Sequence, residues 1–110
     1  MNIEEIRSLC RDKRLRWTDH IMIRLTQRGI SIADVVYAIL HGEIIEEYPT
    51  DYPYPSCLIL CINVNNEPLH VVCGINGNTE IYLITAYRPD DEEWTNNYRR
   101  RIHAFGEENI

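Results

Sequence analysis

The spacing of apolar residues changes at Gly42, and that change constrains the fold more than any other feature of the chain. Before it, apolar side chains recur at helical intervals: Ile3, Ile6 and Leu9 or Cys10; then Ile21, Met22 and Leu25; then Ile32, Val35, Val36, Ile39 and Leu40. After it come short runs rich in β-branched and aromatic residues: EIIEEY (43–48), SCLILCIN (56–63), LHVVCGI (69–75) and EIYLITAY (80–87). Helices followed by strands, rather than alternating with them, predict an α+β fold. The segments NVNNEP and NGNT carry hairpin turn chemistry. The four strands are therefore expected to pair as an antiparallel meander with the N-terminal helices packed on it.

Local signals set the helix boundaries. Glu4 and Glu5 favour the start of a helix over about residues 3–11, where the backbone dipole is positive. Thr18 is a capping residue for the second helix, and Gly29 ends it in the left-handed conformation. Ser31 and Asp34 form a capping box for the third, which His41 and Gly42 close. PTDYPYP (49–55) is too rich in proline to pair and reads as a broad loop. Trp94, Tyr98 and Ile102 recur every four residues, which predicts a last helix over about 91–104, with His103 and His41 as caps at helix ends.

A chain of 110 residues holds one domain with a real core. We divide it into an N-terminal helix and lead-in (1–16), a core (17–90) and a C-terminal helix and tail (91–110). Neither a signal peptide nor a membrane-spanning run is visible, so the cytoplasm is the expected location. Cys10, Cys57, Cys61 and Cys73 are then expected to stay reduced. A metal site built from Cys57, Cys61, His70 and Cys73 is disfavoured, because two sulfurs four residues apart on a strand lie roughly 13 Å apart. Buried thiols are the expected state, and no cofactor or metal is called for.

The net charge of −6 hides a lopsided distribution. Residues 1–28 hold Arg7, Arg11, Lys13, Arg14, Arg16, Arg24 and Arg28 against Glu4, Glu5, Asp12 and Asp19, whereas residues 29–87 hold acids and neither Lys nor Arg. A basic end can hold phosphate while the acidic middle meets a basic partner or keeps the protein soluble. On the second helix, His20, Arg24, Gln27 and Arg28 fall within an arc of about 100°. Imidazole for proton transfer beside guanidinium for phosphate is the minimum that metal-free RNA cleavage requires, since the neighbouring 2′-hydroxyl is the nucleophile. The competing reading pairs these arginines with Glu46 or Glu47.

Other candidates lie on the strands. His70 offers a second imidazole for an acid–base pair, though a lone histidine in a sheet is more often a hydrogen-bonded core residue. Thr85 and Tyr87 share a strand face with Arg88 just beyond, and Tyr87 could stack on a base or donate a proton. Tyr48, Tyr52 and Tyr54 around the proline loop could stack on unpaired bases, cap the core or meet a protein segment. Arg99, Arg100 and Arg101 form a basic cluster whose acidic sequence neighbours suggest self-neutralisation.

The set His20, Arg24, Arg28-Gly29-Ile30-Ser31, Asp34-Val35, Gly42 to Glu46 with Tyr48, Pro68 to Val72 and Ile84 to Tyr87 resembles the bacterial family catalogued as domain of unknown function 4258. The resemblance runs from about residue 17 to 95. It implies kinship with RelE/ParE-type toxins, which pack helices on a curved antiparallel sheet, and hence a RelE-like core. It further implies a type II toxin with a cognate antitoxin, of the zinc-finger MqsA type, and endoribonuclease activity on RNA. His20, Arg24, Arg28 and His70 would then be catalytic, and Gln27, Tyr48, Thr85, Tyr87 and Arg88 would bind RNA. Two alternatives stay open: a non-catalytic protein-binding module, and a toxin acting on a protein target such as gyrase.

Overall fold

The computed structural model describes residues 1–102. Three helices come first: α1 (Ile3–Arg11), α2 (Asp19–Arg28) and α3 (Ile32–His41). Each begins as its sequence dictates. Asn2 accepts from the Glu4 amide, Thr18 from the Ile21 amide, and Ser31 and Asp34 close a reciprocal capping box. Gly29 ends α2 with φ at 66°, left-handed geometry that costs glycine little. The C-terminal carbonyls of α3 are taken by a neighbouring helix instead: Arg7 donates from Nε to Ile39 O at 3.3 Å and from Nη2 to Gly42 O.

The sheet is five-stranded and mixed, not the expected four-stranded antiparallel meander. The strands β2 (Glu43–Tyr48), β3 (Ser56–Ile62), β4 (Pro68–Asn76) and β5 (Glu80–Tyr87) do pair antiparallel in sequence order. A further strand, β1 (Leu15–Arg16), lies parallel to β5 through Leu15 with Ile81 and Arg16 with Tyr82. Two residues are too few to show any alternation, so this strand leaves no signature in the sequence. The spatial order is β1-β5-β4-β3-β2.

A second correction concerns residues 91–102. No helix forms there; instead β6 (Trp94–Thr95) and β7 (Arg100–Arg101) make a two-stranded hairpin of their own. Asn96, Asn97 and Tyr98 have φ of 55°, 56° and 69°. The left-handed region breaks a helix, and asparagine enters it more easily than other side-chain-bearing residues. The remainder of the predicted helix, with His103, lies outside the described residues.

The three helices cover one face of the sheet. Ile6, Ile21, Leu25, Val35 and Ile39 meet Cys57, Ile59, Val71, Ile81 and Leu83 in one cluster, and all four cysteines are buried and free. Leu58 and Leu60 point the other way yet are as inaccessible as the helix-side residues. No helix among the described residues is long and apolar enough to cross a membrane.

Gly42 sits where α3 turns into β2, and a Cβ there would lie 2.5 Å from Ala38 O and 2.6 Å from Leu60 O. Backbone cannot move aside as a side-chain tip can. We expect Gly42→Ala to lower unfolding stability by about 2–3 kcal/mol in chemical denaturation. Gly29→Ala meets no atom and should cost only about 1 kcal/mol, through its positive φ.

Candidate functional site

The polar row on α2 faces water. His20, Arg24, Gln27 and Arg28 are all exposed, while Ile21 and Leu25, on the adjoining stripe of the helix, are anchored in the core. Helix geometry puts His20, Arg24 and Arg28 one turn apart, with about 5–6 Å between successive Cβ atoms. Among the described residues neither Arg24 nor Arg28 makes an ion pair. Their supposed partners are engaged elsewhere: Glu46 holds Arg101 and Tyr48, and Glu47 holds the N-terminal ammonium of Met1. The reading that neutralises this row with Glu46 or Glu47 is therefore overturned.

Arg28 nonetheless has a structural task. Beyond Tyr82 the outer edge of β5 runs past the end of β1. Arg28 Nη1 donates to Thr85 Oγ1 at 3.1 Å and to Ala86 O at 2.8 Å, satisfying one backbone carbonyl of that edge. The same contact joins the α2 row to Thr85. Arg88 is drawn another way: it donates to Pro68 O at 3.1 Å and stands 3.7 Å from Asp34.

His70, Tyr87 and Tyr48 belong to the other face of the sheet. Register pairs His70 with Leu60 and with Tyr87, so these side chains share the side away from the helices. The His70 ring is 0% exposed and both its nitrogens are occupied, Nδ1 at 3.2 Å from the Tyr87 hydroxyl and Nε2 at 2.9 Å from Tyr98 O. Because a carbonyl only accepts, Nε2 carries the proton and Tyr87 donates to Nδ1. Trp94 stacks edge-on against the ring at 4.4 Å. Burial lowers the pKa of His70, against smaller upward effects from the Tyr98 carbonyl and Glu46. Sealed in this way, His70 is not beside the α2 row, and no solvent-borne substrate reaches its ring in this conformation.

Around that histidine the structure gathers residues that the sequence did not single out together. Tyr48 donates to Glu46, and burial leads in pushing its pKa up to about 12. Arg101 grips both Glu46 oxygens, at 3.3 and 3.1 Å from Nε, and its guanidinium lies 4.8 Å from the centre of the Trp94 ring. Arg99 pairs with Glu43. Arg99 and Arg101 are thus neutralised from β2, not by their sequence neighbours. The Asn96-Asn97 pair is a hairpin cue that could have revealed this arrangement. Of the proline-loop tyrosines, Tyr52 is exposed, whereas Tyr54 stacks on Tyr82 at 5.0 Å.

Two outcomes follow from these contacts. Arg28→Ala should lower stability by about 1 kcal/mol through the lost edge hydrogen bonds, while Arg24→Ala should leave the thermal midpoint unchanged. For His70 the folded pKa lies below that of the unfolded chain, so its contribution to stability is complete above the ordinary histidine value of 6.5. It is lost as pH falls from there through the depressed folded value. Denaturation midpoints recorded between pH 7.5 and 5 should fall for the native chain and flatten for His70→Gln.

No curated protein and no solved structure matches the chain. One family model does, over residues 17–88, from the residue before the Thr18 cap to Arg88 just past β5. That span carries the exposed α2 row, the capping box and the antiparallel strands β2 to β5 of the mixed sheet, and on it the chain belongs to the family described as Domain of unknown function (DUF4258).

Proposed function

We propose that this protein is the toxin of a type II toxin–antitoxin pair, a relative of the RelE/ParE group that cleaves RNA without a metal. The observation that carries the reading is the α2 row, an imidazole and two guanidinium groups left exposed and without carboxylate partners among the described residues. Such a ridge suits a polyanion, because arginine meets phosphate with paired hydrogen bonds.

The chemistry follows from those groups. His20 accepts the proton of a ribose 2′-hydroxyl as that oxygen attacks the adjacent phosphorus. Arg24 and Arg28 hold the non-bridging oxygens and offset the charge of the phosphorane. The bond to the 5′-oxygen then breaks, leaving a 2′,3′-cyclic phosphate and a 5′-hydroxyl. With His70 enclosed, the proton for the leaving oxygen comes from water or from His20 itself. Gln27 and Thr85 flank the ridge as hydrogen-bonding groups.

A second reading, a protein-binding module without catalysis, draws on a different surface. Between α3 and the β3–β4 turn lies a groove of about 280 Å³, lined by Tyr37, Cys61, Val64 and Leu69 with Asp34, Glu67 and Arg88 at hand. Val64 is 90% exposed and Tyr37 39%. Exposed apolar side chains in a groove favour a protein partner. In the toxin reading this groove is where the antitoxin, a zinc-finger protein of the MqsA type, would dock.

One experiment separates the readings. The purified chain is incubated with end-labelled single-stranded RNA in EDTA, and growth is followed on expression. Cleavage to cyclic-phosphate ends is expected, falling by roughly 10²–10⁴ in His20→Ala and strongly in Arg24→Ala with both variants folded. Intact RNA with growth arrest would instead indicate a protein target such as gyrase. Intact RNA without arrest would leave the binding module.

A further inference from the structure

The C-terminal hairpin covers His70, the one buried histidine among the described residues, and is attached in an unusual way. Among the described residues it shares no strand ladder with the main sheet. Its anchors are three side-chain contacts and one backbone carbonyl: Arg99 on Glu43, Arg101 on Glu46, the Trp94 ring, 4% exposed, against the imidazole, and Tyr98 O accepting from His70 Nε2. Both ion pairs are substantially open to solvent, with Arg99 and Glu43 at 40% and 51% exposure and Arg101 and Glu46 at 46% and 24%. Screening by salt and competition by other anions act on pairs of this kind.

The turn adds a bias toward release. Arg99 N donates to Asn96 O at 3.2 Å across two central residues, Asn97 and Tyr98, both with positive φ. A bulky tyrosine at the second central position is unfavourable where glycine or asparagine is usual. Tyr98 holds that conformation in the closed state, where its carbonyl meets His70, and opening frees it. Beneath the hairpin lie His70, Tyr87 and Tyr48, groups able to exchange protons or stack on bases once uncovered.

We infer that the hairpin of residues 94–101 is a displaceable strap that keeps the His70–Tyr87 pair masked, and that a polyanion releases it by competing with Glu43 and Glu46 for Arg99 and Arg101. The strap itself stands independently of the nuclease reading, whereas RNA as the natural polyanion rests on it. In that setting the strap would couple arrival of the substrate to exposure of a second imidazole.

Residue-resolved modification by diethyl pyrocarbonate, read by mass spectrometry, tests the strap. In the native chain at low salt, His20 and His41 are exposed and should react while His70 is spared. The double variant Arg99→Ala/Arg101→Ala should modify His70 at least roughly fivefold faster, the share that two surface ion pairs supply. Glu46→Gln, which removes one latch while keeping the side-chain size, should show a smaller rise. Far-UV circular dichroism verifies that both variants keep the fold. A spared His70 in both folded variants would overturn the strap. Adding single-stranded oligouridylate to the native chain should also expose His70; protection that persists at saturating RNA would overturn the polyanion trigger. Cleavage assayed on the same samples reports separately on the nuclease reading, since an open strap with intact RNA defeats that reading and not this one.

Discussion

The structure depends on the burial of β3 on both faces. From Ser56 to Cys61 every residue is inaccessible. Cys57, Ile59 and Cys61 face the helices, and Ser56, Leu58 and Leu60 face the other way. Complete burial of a leucine side chain stabilises a fold by roughly 1.5–3 kcal/mol, so a strand apolar on both sides recruits cover on both sides. Three helices supply it on one face. On the other, Trp94 of the C-terminal hairpin packs on His70, the register neighbour of Leu60, and Asp51 of the proline loop meets Ser56. Buried polar groups on that strand and its neighbour are satisfied locally: Ser56 donates to Asp51, and His70 uses both nitrogens.

That arrangement divides the candidate residues into two neighbourhoods. The α2 row stands beside the stripe that fixes the helix in the core, and Arg28 ties its end to β5 through Thr85 and Ala86. His70, Tyr87 and Tyr48 lie behind the sheet under the hairpin. The acidic middle of the chain takes a specific form here, since Glu43, Glu46 and Glu47 of β2 hold Arg99, Arg101 and the N-terminal ammonium. The basic N-terminal residues are then free of those carboxylates. Charge that is lopsided along the sequence is partly cancelled in space on β2, while Arg24 and Arg28 on α2 make no ion pair among the described residues.

Much of this was legible before any coordinates. The helices Ile3–Arg11, Asp19–Arg28 and Ile32–His41 begin at side-chain caps, Asn2, Thr18 and Ser31, and the second ends at Gly29 with its positive φ. The strands Glu43–Tyr48 and Glu80–Tyr87 fall where β-branched residues cluster, and exposure of His20, Arg24, Gln27 and Arg28 followed from helical spacing. What escaped was non-local. Leu15–Arg16 is a strand only because Ile81 and Tyr82 stand beside it. The spacing of Trp94, Tyr98 and Ile102 imitates a helix, but the Asn96-Asn97 turn and the attachments of Arg99 and Arg101 to β2 prevail over it. The enclosure of His70 depends on the same distant segment, so its own neighbours Leu69 and Val71 could not disclose it.

The parallel pairing of Leu15 and Arg16 with β5 matters for anyone cutting the chain. The family match starts at Trp17, two residues after the sheet has already begun. A fragment trimmed to the matched span would strip Ile81 and Tyr82 of their neighbour and remove Ile6, Leu9 and Cys10 from the core cluster. Bare backbone amides beside newly uncovered apolar surface form a template on which further copies can add. Such a fragment would gather into fibrils or precipitate, and a loss of function in it would report on colloidal behaviour rather than on chemistry.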